Sequence, residues 1–208
     1  MAKGSGGTRG AGGGGNRSAG GGMSAKDILA KYPELMTKVK DAAVRDDIIQ
    51  GIQDMEKEFG VTPDKLKFVN RKGDMAGSQS EDGTTTINLK NLGDHAASQK
   101  LYAGGFHPAG TERNPAKATV VHEMAHKIQD KAKNWSPKSA FNQELDKAYS
   151  NFISGWKQGK KNNPAAHSVG GYATFNKSEY FAEAVSAYNA GLKNQYTTAA
   201  WKIAKKYK

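Results

Sequence analysis

The stretch Val120-Val121-His122-Glu123-Met124-Ala125-His126 decides the reading, because it places an HExxH pattern inside a run with helical periodicity. Asn114-Pro115 opens that run: asparagine favours the helix cap and proline fits the first turn. Ala118, Val121, Ala125 and Ile128 then recur at helical spacing as a buried face, and the helix is expected to run to about Lys131. Residues four apart lie one above the other on a helix, so His122 and His126 can aim imidazole nitrogens at one zinc ion with bonds of about 2.0–2.1 Å. Glu123, one position round, faces the open coordination site and is placed to accept the proton of a water acidified there.

A catalytic zinc takes three protein ligands and keeps one position open, so two histidines are not enough. The metzincin pattern would put a histidine at 132 and a glycine at 129; the chain has Ala132 and Gln129, which excludes that branch. His95, His107 and His167 sit in no recognisable ligand context and read as surface residues or substrate-side contacts. The stronger candidates lie downstream, in Asn176-Lys177-Ser178-Glu179-Tyr180-Phe181-Ala182-Glu183-Ala184. There two carboxylates stand four apart on an otherwise apolar helix. A buried carboxylate needs a partner, and a divalent cation is a good one. Helical spacing alone does not choose between Glu179 and Glu183, which share a face.

Outward from these motifs, Ser24 with Asp27 three residues on signals a short helix that Tyr32-Pro33 interrupts. A longer helix from about Glu34 to Phe59 follows from the spacing of Val44, Ile48, Ile52, Met55 and Phe59, with Gly60 as terminator. Leu66 to Val69 and Thr84 to Leu89 read as strands, separated by a polar loop from Arg71 to Gly83. Leu92 to Arg113 has no clear period and reads as a long loop, either mobile or functional. Ser136-Pro137 signals another start, and Phe141, Leu145, Tyr149, Phe152 and Trp156 mark an amphipathic helix. A glycine- and asparagine-rich break from Gly155 to Tyr172 precedes helices near Lys177 to Ala190, ended by Gly191, and about Thr197 to Tyr207. No internal repeat is evident.

Residues 1–22 hold eleven of the twenty-five glycines and no large apolar side chain beyond the initial methionine. They read as a disordered, Gly-rich basic tail ahead of one folded domain at 23–208, since they bury too little to offset the entropy of ordering. The 208 residues suffice for one domain with a real core. There is no cysteine, so disulfides and cysteine-held metals are excluded and any metal chemistry must run through histidine and carboxylate. No apolar run is long enough to cross a membrane, and Met1 to Gly22 lacks the apolar centre of a secretory signal. A soluble, cytoplasmic protein with no membrane contact is therefore expected. The formal charge of +11 is scattered over the chain and reads mainly as a solvated basic surface, with room for weak nucleic-acid contact through that surface and through Lys3, Arg9 and Arg17 of the tail.

The HEMAH run at 122–126, together with Tyr172 seven residues before Glu179 and the Glu179-Tyr180-Phe181-Ala182-Glu183-Ala184 run, resembles the gluzincin-type metallopeptidases. Within them it is similar to the catalytic domain of anthrax lethal factor and its relatives, over about a third of the chain. The resemblance implies Glu179 as third zinc ligand, Tyr172 as hydroxyl donor to the oxyanion, and Glu183 as a carboxylate behind the ligands. Gly105-Phe106-His107-Pro108, upstream of the HExxH helix, is similar to metallopeptidase-like domains of bacteriophage head-associated proteins, which would place the chain in a virion. The chain departs from the lethal-factor pattern in a longer gap from HExxH to the glutamate and in its first hundred residues.

The resulting expectation is an α+β, zincin-like metallopeptidase fold, with a small sheet including Thr84 to Leu89 beside the His122 helix and a mostly helical C-terminal part. Its function would be that of a zinc-dependent endopeptidase acting on a protein or peptide substrate, bound as an added strand on a sheet edge along the cleft. The competing expectation is a basic, virion-associated or nucleic-acid-binding protein with a structural zinc site or a vestigial peptidase domain. A structural site would be closed by four protein ligands, a catalytic one would not.

Overall fold

A computed structural model describes residues 22–73, 75–132 and 139–208, so the expected tail at 1–22, except Gly22, and the Ser136-Pro137 start signal lie outside the described residues. The chain is mixed α+β, mostly helical with a three-stranded sheet. Ser24 caps α1 (Ala25–Lys31) in a reciprocal box with Asp27, as its sequence implies. The expected helix from Glu34 to Phe59 is in fact two, α2 (Glu34–Lys38) and α3 (Ala42–Phe59). The physical reason is local: Asp41 takes the N–H groups of Ala43 and Val44 on its side chain, which starts a new helix, while Val39 is extended and buried. Gly60 ends α3 in the left-handed conformation at φ 66°, donating its N–H to Glu56 O.

The sheet contains β1 (Lys65–Val69), β2 (Gly77–Gln79) and β3 (Thr84–Asn88) in the order β1-β3-β2, with β1 parallel and β2 antiparallel to β3. The strand expected at Thr84 to Leu89 is therefore central. Leu89 itself begins α4 (Leu89–Leu92), because Asn88 caps the N–H of Lys90. The edge strand β2 falls in the stretch expected to be loop. Gly-Ser-Gln carries no β-branched or apolar residue, and tertiary contact with α6 (Pro115–Lys131) stands in for propensity there. The expected long loop from Leu92 to Arg113 likewise contains a helix, α5 (His95–Tyr102), capped by Asp94 and burying only Ser98 and Tyr102. So narrow a buried face leaves little periodic signal.

Helix α6 is the axis of the molecule. It packs on α3 along one side and on α9 (Lys177–Asn189) along another, and it also touches β2 and β3. Gly51 of α3 allows this closeness, because a Cβ there would stand 3.1 Å from Lys117 O and from the Val120 side chain. Asn114 precedes Pro115 as expected but does not cap with its side chain, which instead donates to Asp47 Oδ1 at 2.7 Å. The remaining elements are a 3-10 turn at Thr111–Arg113, α7 (Ala140–Lys157), capped by Ser139, α8 (Pro164–His167), a 3-10 turn at Tyr172–Thr174, and α10 (Gln195–Tyr207). Every residue of α9 from Tyr180 to Ala187 is buried, which places Glu183 inside the protein. Among the described residues no helix is long and apolar enough to cross a membrane.

Candidate metal centre

Helix α6 delivers His122 and His126 one turn apart, and α9 brings Glu179 against them. His122 Nε2 lies 3.2 Å from His126 Nε2 and 3.2 Å from Glu179 Oε2, and His126 Nε2 lies 3.5 Å from the same oxygen. Three atoms bound to one ion at about 2.0–2.1 Å in tetrahedral directions would be separated by about 3.3–3.4 Å. The observed triangle has those dimensions. Glu179 Oε2 is buried and its neighbours are the two imidazole nitrogens at 3.2 and 3.5 Å, neither in good hydrogen-bond geometry, so a cation would complete its partners. His122, Glu123 and His126 also bring ligand-type atoms within 4.8 Å of one another, and that group can hold a metal ion. Of the two carboxylates adjacent in geometry, Glu179 completes the smaller triangle with the imidazole nitrogens, whereas Glu123 lies on α6 itself.

The electrostatics agree with a site built around positive charge. Burial would lower the basicity of His122, but its contact with Glu179 and the charges of Glu183, Glu123 and Glu179 outweigh that and hold it at about 9. Burial would raise Glu179, but the two imidazoles beside it hold it far below the usual carboxylate range. Glu123 is only 6% exposed and burial pushes its carboxyl upward, with His122 and His126 opposing. A carboxylate whose proton affinity is raised in this way is a better proton acceptor near neutral pH than an exposed one.

Behind the triangle, two contacts orient the imidazoles. His126 Nδ1 lies 2.9 Å from Gln129 Oε1, which also accepts from Ser178 Oγ at 2.8 Å, and Ser178 Oγ stands 3.2 Å from the same imidazole nitrogen. An N–H on Nδ1 satisfies the amide oxygen and leaves the Nε2 lone pair free for the centre. His122 Nδ1 lies 3.5 Å from Glu183 Oε1, and His107 Nδ1 is equally far from that oxygen on another side. Glu183 thus stands behind the triangle, between the imidazoles of His122 and His107.

Tyr172 opens the 3-10 turn before α9, with its ring centroid 6.0 Å from that of His122. Burial and the charges of Glu179, Glu123 and Glu183 push its hydroxyl up to about 12, so it stays protonated and able to donate. Its position is fixed by two strands of backbone lying together: Tyr172 N–H donates to Phe106 O at 3.0 Å and Ala109 N–H to Ser168 O at 2.9 Å. Gly170 makes the approach feasible. Its φ is +94°, and a Cβ there would lie 2.7 Å from His107 C.

The histidines outside HExxH separate. His107 lies in the site, stacked on Tyr102 with centroids 3.9 Å apart. His167 stacks on Trp156 and makes a hydrogen bond with its carbonyl, and His95 faces Asp47 at 3.6 Å. Neither of these two approaches the centre, and both have structural partners rather than free surface positions. Sequence reasoning missed Gln129, Ser178 and Gly77. Gln129 was discoverable, because it sits one helical turn from His126; Ser178 and Gly77 depend on tertiary contact. Gly77 on β2 stands against Glu123: a Cβ there would lie 2.7 Å from Thr119 Cγ2 and 2.8 Å from Glu123 Oε1.

A cavity of about 280 Å³ opens beside His122 and Glu123, with Met75, Ala76 and Gly77 on one side and Phe106, His107 and Tyr172 on another. Comparison with known proteins leaves the geometry to speak for itself: no family model, no curated protein and no solved structure matches this chain.

Proposed function

We propose that the chain is a zinc-dependent endopeptidase of zincin type, with His122, His126 and Glu179 as metal ligands and Glu123 as general base. The observation that carries the reading is the triangle of His122 Nε2, His126 Nε2 and Glu179 Oε2, with edges of 3.2, 3.2 and 3.5 Å, beside the buried Glu123 and next to a cavity that His122 and Glu123 line. A site open to a cavity suits catalysis better than a structural role, which would close it with a fourth protein ligand. When bound, zinc would supply Lewis acidity, polarising a carbonyl and lowering the pKa of a water. The chain's own groups do the rest. Glu123 takes the proton of the attacking water and passes it to the leaving amine, Tyr172 donates its hydroxyl to the developing oxyanion, and Glu183 receives the Nδ1–H of His122.

The sheet supplies a place for the substrate. Strand β2 pairs with β3 on one side only among the described residues, and it borders the cavity through Gly77. An extended peptide added to that edge would lie across Glu123, its main chain held by hydrogen bonds that accept many sequences. The reading is tested by metal analysis of protein purified without chelator, together with mapping of new N-termini after incubation with candidate protein lysates. One zinc per chain, and cleavage that Glu123→Gln abolishes while keeping the metal, is the expected result. A chain without transition metal, or a fully active Glu123→Gln variant, would overturn it.

A further inference from the structure

Five large apolar side chains are exposed among the described residues, and three of them gather at this one cleft. Met75 is 65% exposed and Phe106 47%, and both border the cavity. Phe175, 65% exposed, stands edge-on to Phe106 at 6.1 Å and to Tyr172 at 5.2 Å between ring centroids. Single exposed apolar residues are ordinary, but a convergent group rimming a pocket marks a place where something is bound.

Apart from the groups at the centre, His107, His122, Glu123, Tyr172 and Glu183, the polar atoms on the wall of this cavity include hydroxyls already engaged within the protein. Ser186 Oγ donates to Ala118 O at 2.9 Å and Thr111 Oγ1 to Pro108 O at 2.6 Å. Thr119 Oγ1 donates to Pro115 O at 3.0 Å, so the 2.5 Å contact between Tyr102 and Thr119 must be donated by the tyrosine. These four hydroxyl hydrogens are spent inside the protein, so away from the centre and the Tyr172 hydroxyl none of the four is left to recognise a polar side chain. A polar side chain entering there would lose its water without finding these donors, whereas an apolar one loses nothing.

We infer that Met75, Phe106 and Phe175 form an apolar clamp for a bulky aromatic or aliphatic side chain of a peptide substrate, seated next to the bond to be cut. The inference deepens the proposed peptidase reading and rests on it for the identity of the occupant. The reason to choose a peptide over a second copy of the chain is continuity. Tyr172 belongs both to the ring cluster and to the catalytic surroundings, and the rim opens onto the same cavity as Glu123. Phe106 is also fixed through its backbone carbonyl to Tyr172, so the clamp and the hydroxyl donor keep a constant spacing. A rigid aromatic wall binds with little loss of side-chain freedom.

The test is a binding measurement on the zinc-loaded Glu123→Gln protein. Fluorescein-labelled peptides of an alanine, glycine and serine frame carry a single variable position occupied by Phe, Leu, Ala or Asp. Anisotropy titrations are expected to give at least roughly tenfold tighter binding for Phe and Leu than for Ala, as burial of one large apolar side chain implies, and weakest binding for Asp. Phe175→Ser, a change at an exposed position, is expected to shrink the difference between the Phe and Ala peptides several-fold, and Phe106→Ser likewise. Met36→Ser, at an equally exposed apolar residue outside the cavity lining, is expected to preserve it. Equal affinity for all four peptides, or a Phe preference untouched by both rim variants, would overturn the clamp. So would sedimentation showing that the rim variants act only by dissolving a dimer. The parent protein, assayed for hydrolysis of the same peptides, separates the two ideas: cleavage without apolar preference sinks the clamp alone, and selective binding without cleavage sinks the peptidase reading alone.

Discussion

His126 Nδ1 lies 2.9 Å from Gln129 Oε1, one turn further along α6, and Ser178 of α9 donates to that same oxygen at 2.8 Å. The amide is buried, so it holds the imidazole from behind and presents Nε2 to the centre. Gln129→Ala should therefore weaken metal binding by roughly 10–100-fold, the usual cost of removing such a partner, with the helix intact. Competitive chelator titration measures it. Gln129→Glu, which keeps an acceptor at the same place, should bind metal far better than the alanine variant; equal loss in both would show that Gln129 acts only through packing.

Glu179 and Glu183 share a helix face but hold different places, one in the triangle and the other 3.5 Å from His122 Nδ1. Glu179→Ala is expected to abolish tight metal binding, whereas Glu183→Ala should retain a site weakened by roughly 10–100-fold. The reverse order in a chelator titration would exchange their assignments.

Tyr172→Phe is expected to retain metal and to lower kcat more than it raises KM, because a hydroxyl donating to an oxyanion acts mainly in the transition state. A change confined to KM would reassign Tyr172 to substrate binding.

Much of this site was legible in the sequence, and for a physical reason. His122, His126, Glu179 and Glu183 lie on helices whose buried faces recur at regular spacing, so their relative directions follow from the period. What the period does not encode stayed hidden. Helix α5 buries only Ser98 and Tyr102, and β2 is three residues without β-propensity held in place by α6 and β3. The split of the Glu34 to Phe59 stretch turned on the Asp41 cap, a single side-chain hydrogen-bonding choice inside a pattern that reads as continuous. His107 lay in a segment read as loop, and only the backbone pairing of Phe106 with Tyr172 brings it to Glu183.

Gly77 is packed directly against Thr119 and Glu123. A methyl at this position would lie 2.8 Å from Glu123 Oε1 and 2.7 Å from Thr119 Cγ2, distances that real Cβ atoms do not keep, so either β2 or the base must move. Gly77→Ala should leave metal content unchanged and reduce kcat/KM by tenfold or more, since displacement of a general base by about 1 Å costs that order. Unaltered turnover would mean that β2 yields and Glu123 does not.

The last expectation concerns pH. Without metal, His122 is held at about 9, well above the ordinary histidine value of 6.5, so near pH 7 it carries a proton that a metal ligand cannot keep. Metal binding near pH 7 should therefore release about one proton from this group. Affinity should rise about tenfold per pH unit between pH 7 and 8 and level off above 9, where the imidazole is already neutral. The sign for folding is the opposite. A folded-state value raised above the unfolded one stabilises the metal-free protein fully below about pH 6.5, and that contribution fades as pH rises through 9. The melting temperature of the metal-free chain should thus fall over the interval in which metal affinity climbs. Calorimetric titration with zinc in buffers of differing ionisation enthalpy counts the protons directly, and thermal melts with and without metal across pH 6–10 give the second slope. Metal affinity that does not change between pH 7 and 9 would mean that His122 is neutral in the metal-free protein and that Glu179 and Glu183 do not hold a proton on it.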